Sequence, residues 1–227
     1  MATSVRASST GTGSGTAISV AAPTGTTTGD LVVVFITGNT ASTFVDNNGA
    51  TPFTEDMEFL ATSGDTAAVL YSRRIQAGDP TTYAFTRGGA DRWTAHAVTF
   101  QNPHATTNYD VVAQGREQAG NTTTGTTVNI TTLNAGSIHC AALANDLLNN
   151  AFTALPATYD TQQDSGQQRA AFMTKTITLP GATGEQTFTW TTLCNYASLS
   201  FAIMDETGTA PPPMPISRTV RPMLGGV

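Results

Sequence analysis

Apolar and polar residues alternate along most of this chain, and the alternation is broken by short unbroken apolar runs. In a strand, successive side chains point to opposite faces. Alternation therefore marks a half-buried strand, and a run such as LVVVFI (31–36) marks a strand buried on both faces. Strands are predicted near 16–22, 30–37, 56–62, 66–76, 81–87 and 92–101, then 109–117 and 124–132. A further set falls near 136–145, 157–162, 168–179, 185–191 and 195–205. Turn-forming clusters separate nearly all of them: PTGTTTGD, DNNGATP, TSGD, AGDP, RGGAD, QNP and LPGATGE. Helical periodicity is nearly absent. In AALANDLLNNAF (141–152), Leu143, Leu147 and Leu148 have helix-like spacing. Alternation explains the start of that run as a strand; a helical turn over its end is the alternative.

The pattern occurs twice. Residues 68–100 (AVLYSRRIQAGDPTTYAFTRGGADRWTAHAVTF) and 171–203 (AFMTKTITLPGATGEQTFTWTTLCNYASLSFAI) share one order of features. Each has an alternating strand, a glycine turn, a short aromatic strand, a second turn and a long apolar strand. Upstream, GDLVVVFI and GSIHCAAL are both buried-strand runs opened by glycine. This spacing far exceeds the roughly 20–50 residues of solenoid repeats. Short strands with regular turns indicate a sandwich or barrel. The expected fold is all-β, a jelly-roll-like β-sandwich built from two internally duplicated halves, about 16–105 and 106–207. At the offset of 103 (171 minus 68), Val69, Phe85 and Val98 should be equivalent to Phe172, Phe188 and Phe201.

Both ends read as extended arms. Residues 1–15 are rich in Ser, Thr and Gly, the composition of a flexible linker. Residues 208–227 carry Pro211, Pro212, Pro213, Pro215 and Pro222, which prevent helix or central strand and favour a polyproline-like conformation. The apolar residues of this arm, Met214, Ile216, Val220, Met223 and Leu224, have no local core to join. They are the candidate partner-binding residues, expected to bury against another chain.

Composition narrows function mainly by exclusion. Charged residues are 11% of the chain, against about 25% in average soluble domains. Roughly one residue in five is Thr, which lets a pleated face meet solvent or a neighbour without charge. The net charge of −6 comes without a basic stripe, so nucleic-acid binding is not expected. No apolar run approaches the roughly 18 residues of a membrane-spanning helix, and no secretory leader is read at the N-terminus. Cys140 and Cys194 lie in apolar runs and read as buried free thiols; a disulfide requires their strands to adjoin.

His96, His104 and His139 show no ligand spacing. G-x-S-x-G is absent. Glu55/Asp56 and Asp205/Glu206 read as solvated pairs. GTGSGT (11–16) lacks the lysine and following helix of a phosphate loop, and DNNG (46–49) reads as a turn. No catalytic, cofactor-binding or metal-ligating residue is nominated, and the chain is not expected to be an enzyme. Trp93, Trp190, Tyr71, Tyr83, Tyr109, Tyr159 and Tyr196 form either a sugar-stacking platform or core.

GDLVVVFI, TPFTEDMEFL, YSRRIQAGDPTTYAF and WTAHAVTFQN, in this order, resemble a family of phage-encoded β-sandwich proteins from tailed-phage structural gene clusters. The resemblance covers about 16–205 and is strongest at AGDPTTYAF. The family usually has Gly-Trp before the third strand, where this chain has Thr51-Pro52-Phe53-Thr54. The resemblance implies a virion component: capsid decoration, head fibre or tail-associated protein. It would be made in the host cytoplasm and would bind the major capsid protein or other virion proteins, as a homo-oligomer, with a trimer the guess. It implies no catalytic residue. A glycan-binding receptor module of a tail or fibre is the alternative.

Overall fold

The computed structural model describes residues 1–39, 42–60, 66–147, 150–165 and 170–208. In chain order the strands are β1 (Ser4–Ala21), β2 (Leu31–Gly38), β3 (Phe44–Asp46), β4 (Thr54–Leu60), β5 (Ala67–Arg74), β6 (Thr82–Gln101) and β7 (Tyr109–Thr126). They continue with β8 (Thr131–Thr132), β9 (Ile138–Asn145), β10 (Phe152–Ala154), β11 (Asp160–Ser165), β12 (Ala170–Thr176), β13 (Gly181–Ala182) and β14 (Thr187–Ile203). No described residue is helical. Residues 141–145 of the run at 141–152 belong to β9 and residues 146–147 bend, with the Asn145 amide donating to Asn150 O and accepting from Leu147 N; Leu148 and Asn149 lie outside the described residues.

Each repeat builds one sheet. The first has the order β1-β6-β2-β5-β4 with β3 on β6; the second pairs β7 and β10 with β14 and continues β14-β9-β12-β11. Among the described residues the strands correspond as β1/β7, β2/β9, β3/β10, β4/β11, β5/β12 and β6/β14, and the small β8–β13 pair alone has no counterpart there. The result is an all-β sandwich.

The residue equivalence needs one correction. Phe85 and Phe188 occupy matching outer cores, and Val98 and Phe201 the shared central core. Val69, however, points outward, whereas Phe172 points into the central core, so Leu70 is its counterpart. Register confirms this: Leu70 pairs with Phe35 of β2, and Phe172 with Ala142 of β9. From Phe172 to Phe188 the chain takes one residue more than from Leu70 to Phe85. A fixed offset therefore slips one position, which flips every side chain to the other face.

Two further readings change. Residues 1–15 do not form a free arm: β1 pairs with β6 from Ser4 onward, so the first repeat starts near residue 4. The aromatic strands at 81–87 and 185–191 are not separate from the apolar strands after them. They are the first halves of β6 and β14, carried through large bulges. Thr86 and Asp91 face Ala17 and Gly15; equivalently, Thr189 and Cys194 face Thr124 and Thr122. The bulges bend each long strand, so its first half crosses the outer face of its own sheet.

Four layers result. Leu31, Val33 and Phe35 of β2 meet Cys140, Ala142, Phe172, Leu199 and Phe201 of the second sheet in the central core. On the other face of β2, Val32, Val34 and Ile36 are covered by Ile18, Phe44, Tyr83 and Phe85. Phe188 and Trp190 likewise cover Leu143 and Met173. This is why β2 and β9 are buried at every position. Across the central core, β1 lies beside β11 and β4 beside β7, the exchange of edges that a twofold relation produces. Thr3 N, just before β1, donates to Asp205 Oδ1 just beyond β14 at 2.8 Å, linking the two repeats.

Gly11 marks where β1 doubles back. A Cβ there would lie 2.3 Å from Ser19 O, a backbone atom that cannot swing aside. Gly11→Ala should lower stability by about 1–3 kcal/mol in urea unfolding. Gly89→Ala, where a Cβ meets open space, should stay within about 0.5 kcal/mol. Equal effects would mean that the fold-back is not tight.

Candidate functional site

The side chains with chemical potential lie mostly in the interior. His96 is fully buried between the sheets, with Nδ1 3.1 Å from Thr10 Oγ1 and Nε2 3.2 Å from Ala170 O. Desolvation pushes its pKa down to about 4. His104 sits in the loop after β6 and accepts from Thr107 N at 3.2 Å. His139 lies between the Tyr159 hydroxyl and Ser200 Oγ, the latter at 2.7 Å. Ser200, His139 and Tyr159 have the connectivity of nucleophile, base and orienting group. Yet Ser200 and His139 are 0% exposed, so no substrate atom can reach the hydroxyl. Burial also lowers the His139 pKa to about 4, helped by the positive charge of Lys175.

Both cysteines are free and buried. Their strands do adjoin, but Cys140 faces the central core and Cys194 the outer core. Burial raises both thiols, Cys194 to about 12, which removes nucleophilic character. Among the described residues, no group of three His, Cys, Asp or Glu side chains converges as a metal site.

The YSRRIQAGDPTTYAF block is a packing device. Arg73 Nη2 lies 2.7 Å from Asp79 Oδ2, and the guanidinium stacks over Phe53 and Tyr83 at 4.7 and 5.2 Å. Asp79 also accepts from Gln76 N, closing the AGDP turn. DNNG is a turn: Asp46 accepts from Asn48 N and, at 2.8 Å, from Phe53 N. Of the seven candidate platform aromatics, Trp93, Trp190, Tyr71, Tyr83, Tyr159 and Tyr196 are buried. They belong to the core, and Tyr109 is half-buried.

The exposed concavities lie where the sheet edges meet. One groove of about 750 Å³ runs along the start of β7, with Thr106–Asn108, Asn129–Thr131 and Leu133 as walls and Asp56 of β4 at one side. Tyr109 donates to Asp56 Oδ2 at 2.6 Å, and desolvation raises that carboxyl's pKa. Asp110 holds the opposite wall, accepting from Leu133 N at 2.9 Å and from the Asn134 side chain at 2.6 Å. Val112 and Leu133 remain about half exposed at 49% and 52%. Gly115 brings β7 against β4: a Cβ there would meet Phe59 and Met57 within 2.8 Å.

The second groove, about 440 Å³, lies where β1 meets β11 and is lined by Ser4, Arg6, Ser8, Asp160 and Thr174. By the repeat correspondence it is the counterpart of the first, but it is polar. Arg6 is already engaged by Asp30 at 2.6 Å. Neither groove was visible in the sequence, because each depends on how two distant strand edges cross. The candidate partner-binding residues Met214, Ile216, Val220, Met223 and Leu224 lie outside the described residues. A scan of protein-family models, a search of curated proteins and a search of solved structures each found no match.

Proposed function

We propose that the chain is a non-catalytic structural component of a tailed-phage particle, in the role of a capsid decoration protein on the major capsid protein lattice. One observation carries this reading. Two of the three histidines and both cysteines are enclosed in the cores, as in the Ser200–His139–Tyr159 array. Outward the body presents, among other surfaces, the Thr-bearing edge strands β1 and β7 and the two grooves at the sheet edges. A cement protein works through area and shape complementarity rather than a reacting centre. The resemblance of YSRRIQAGDPTTYAF to phage β-sandwich proteins points the same way. Burial of six of the seven candidate platform aromatics weighs against glycan recognition.

The test is to purify particles from the source phage on a density gradient and quantify this chain against the major capsid protein by mass spectrometry. A copy number comparable to that of the capsid protein, with antibody labelling of the head, is the expected result. A few copies with tail labelling would replace decoration by a tail role. Absence from the particles would end the virion reading.

A further inference from the structure

The apolar groove beside β7 has an occupant close at hand. Gly208, the last described residue, donates its N–H to Asp205 O at 2.9 Å. The position a Cβ would take on it lies 3.4 Å from Asn134 Cγ. Asn134 directly follows Leu133, a wall of the groove, and Asp110 holds both residues. The chain beyond residue 208 therefore starts at the groove's rim. We propose that in the free protein residues 209–227 lie in the groove of their own chain, with Met214 and Ile216 covering Val112 and Leu133.

Reach does not limit this. A proline-rich segment advances about 3.1 Å per residue, so a few residues carry Met214 and Ile216 over the groove. Charge favours it too. The segment contains Arg218 and Arg221 and no acid, so it carries +2 and the other residues carry −8 of the net −6. Asp56 stands at the groove's side. Affinity need not be high, because a short tether gives an effective concentration of order mM. At micromolar protein this favours the chain's own segment over that of a second copy. The docking does not depend on the virion reading. If both hold, the segment is covered before assembly and becomes available on the particle.

Hydrogen exchange on the full-length protein, read by mass spectrometry at two concentrations, tests the proposal. Amides of residues 216–221 should be protected at least tenfold over random-coil rates, independently of concentration, with a monomer by light scattering. Met214→Glu/Ile216→Glu should abolish that protection and speed exchange at 130–133. It should leave β2 and β9 unchanged. Val112→Glu/Leu133→Glu should release the segment in the same way from the other side of the contact. Random-coil exchange over 216–221 in the unaltered protein would overturn the proposal. So would protection that disappears on dilution, which would assign the groove to a second copy's segment. Protection that survives both double variants would place the segment elsewhere. Failure of any of these leaves the particle-abundance test untouched.

Discussion

Acidification from pH 7 to pH 4 should cost the fold about 3 kcal/mol for each of His96 and His139. Both are neutral and buried in the folded state. Desolvation moves each from its ordinary 6.5 down to about 4. Between those values the unfolded chain binds more protons than the folded one. Stability is therefore full above about 6.5 and is lost as pH falls toward 4. A charged His96 would face Thr10 and the Ala170 carbonyl between two apolar sheets. A charged His139 would face Tyr159, Ser200 and the nearby Lys175 ammonium. Asp56, raised by desolvation, takes up its proton in the folded state before the unfolded one, so it acts in the opposite sense and offsets part of the loss. Urea unfolding at half-unit pH steps measures the curve. His96→Leu is the informative variant, because β14 carries Leu199 at the equivalent place in the same central core. It should remove about half of the acid loss. An unchanged acid slope in this variant would show that His96 does not set it.

Truncating Phe201 should be the most damaging single change in the central core. Phe201 is fully buried and meets Phe172 at 6.0 Å and Tyr109 at 5.9 Å, both edge to face. Phe201→Ala should cost about 3–5 kcal/mol, since neighbours tied into two sheets relax only partly around the void. The pseudo-equivalent Val98→Ala removes less volume and no aromatic pair, and should cost about 2 kcal/mol. Chemical unfolding at pH 7 reads both. Equal losses would mean that the halves of the central core are not differently packed. A loss below about 1 kcal/mol for Phe201→Ala would mean that the second sheet closes over the gap.

The strands and their duplication were legible because alternation and apolar runs report burial directly. LVVVFI and the long second half of β6 are strands buried on both faces, as their composition requires. Some features needed three dimensions. The Ser/Thr/Gly-rich start reads as a linker, yet it forms β1, because β6 supplies hydrogen-bond partners along its length and Gly11 permits the close fold-back. The one-residue slip between Val69 and Phe172 comes from the one extra residue between Phe172 and Phe188, and a fixed offset cannot register it. Aromatics could be core or platform until the bent halves of β6 and β14 were seen to lay them on their own sheets. The grooves arise from sheet edges crossing at a pseudo-twofold, and no local pattern encodes that crossing.

The twofold exchange of edges, β1 beside β11 and β4 beside β7, gives the molecule the form of a homodimer whose partners share one chain. In a true homodimer, any change on one subunit is imposed on the other. Covalent joining lifts that constraint. One copy keeps His96 where the other has Leu199, and one edge groove is apolar while its mate is lined by hydroxyls and charge. A body of this kind can offer two different contacts at symmetry-related places, so that a single geometric position can meet two chemically distinct neighbours.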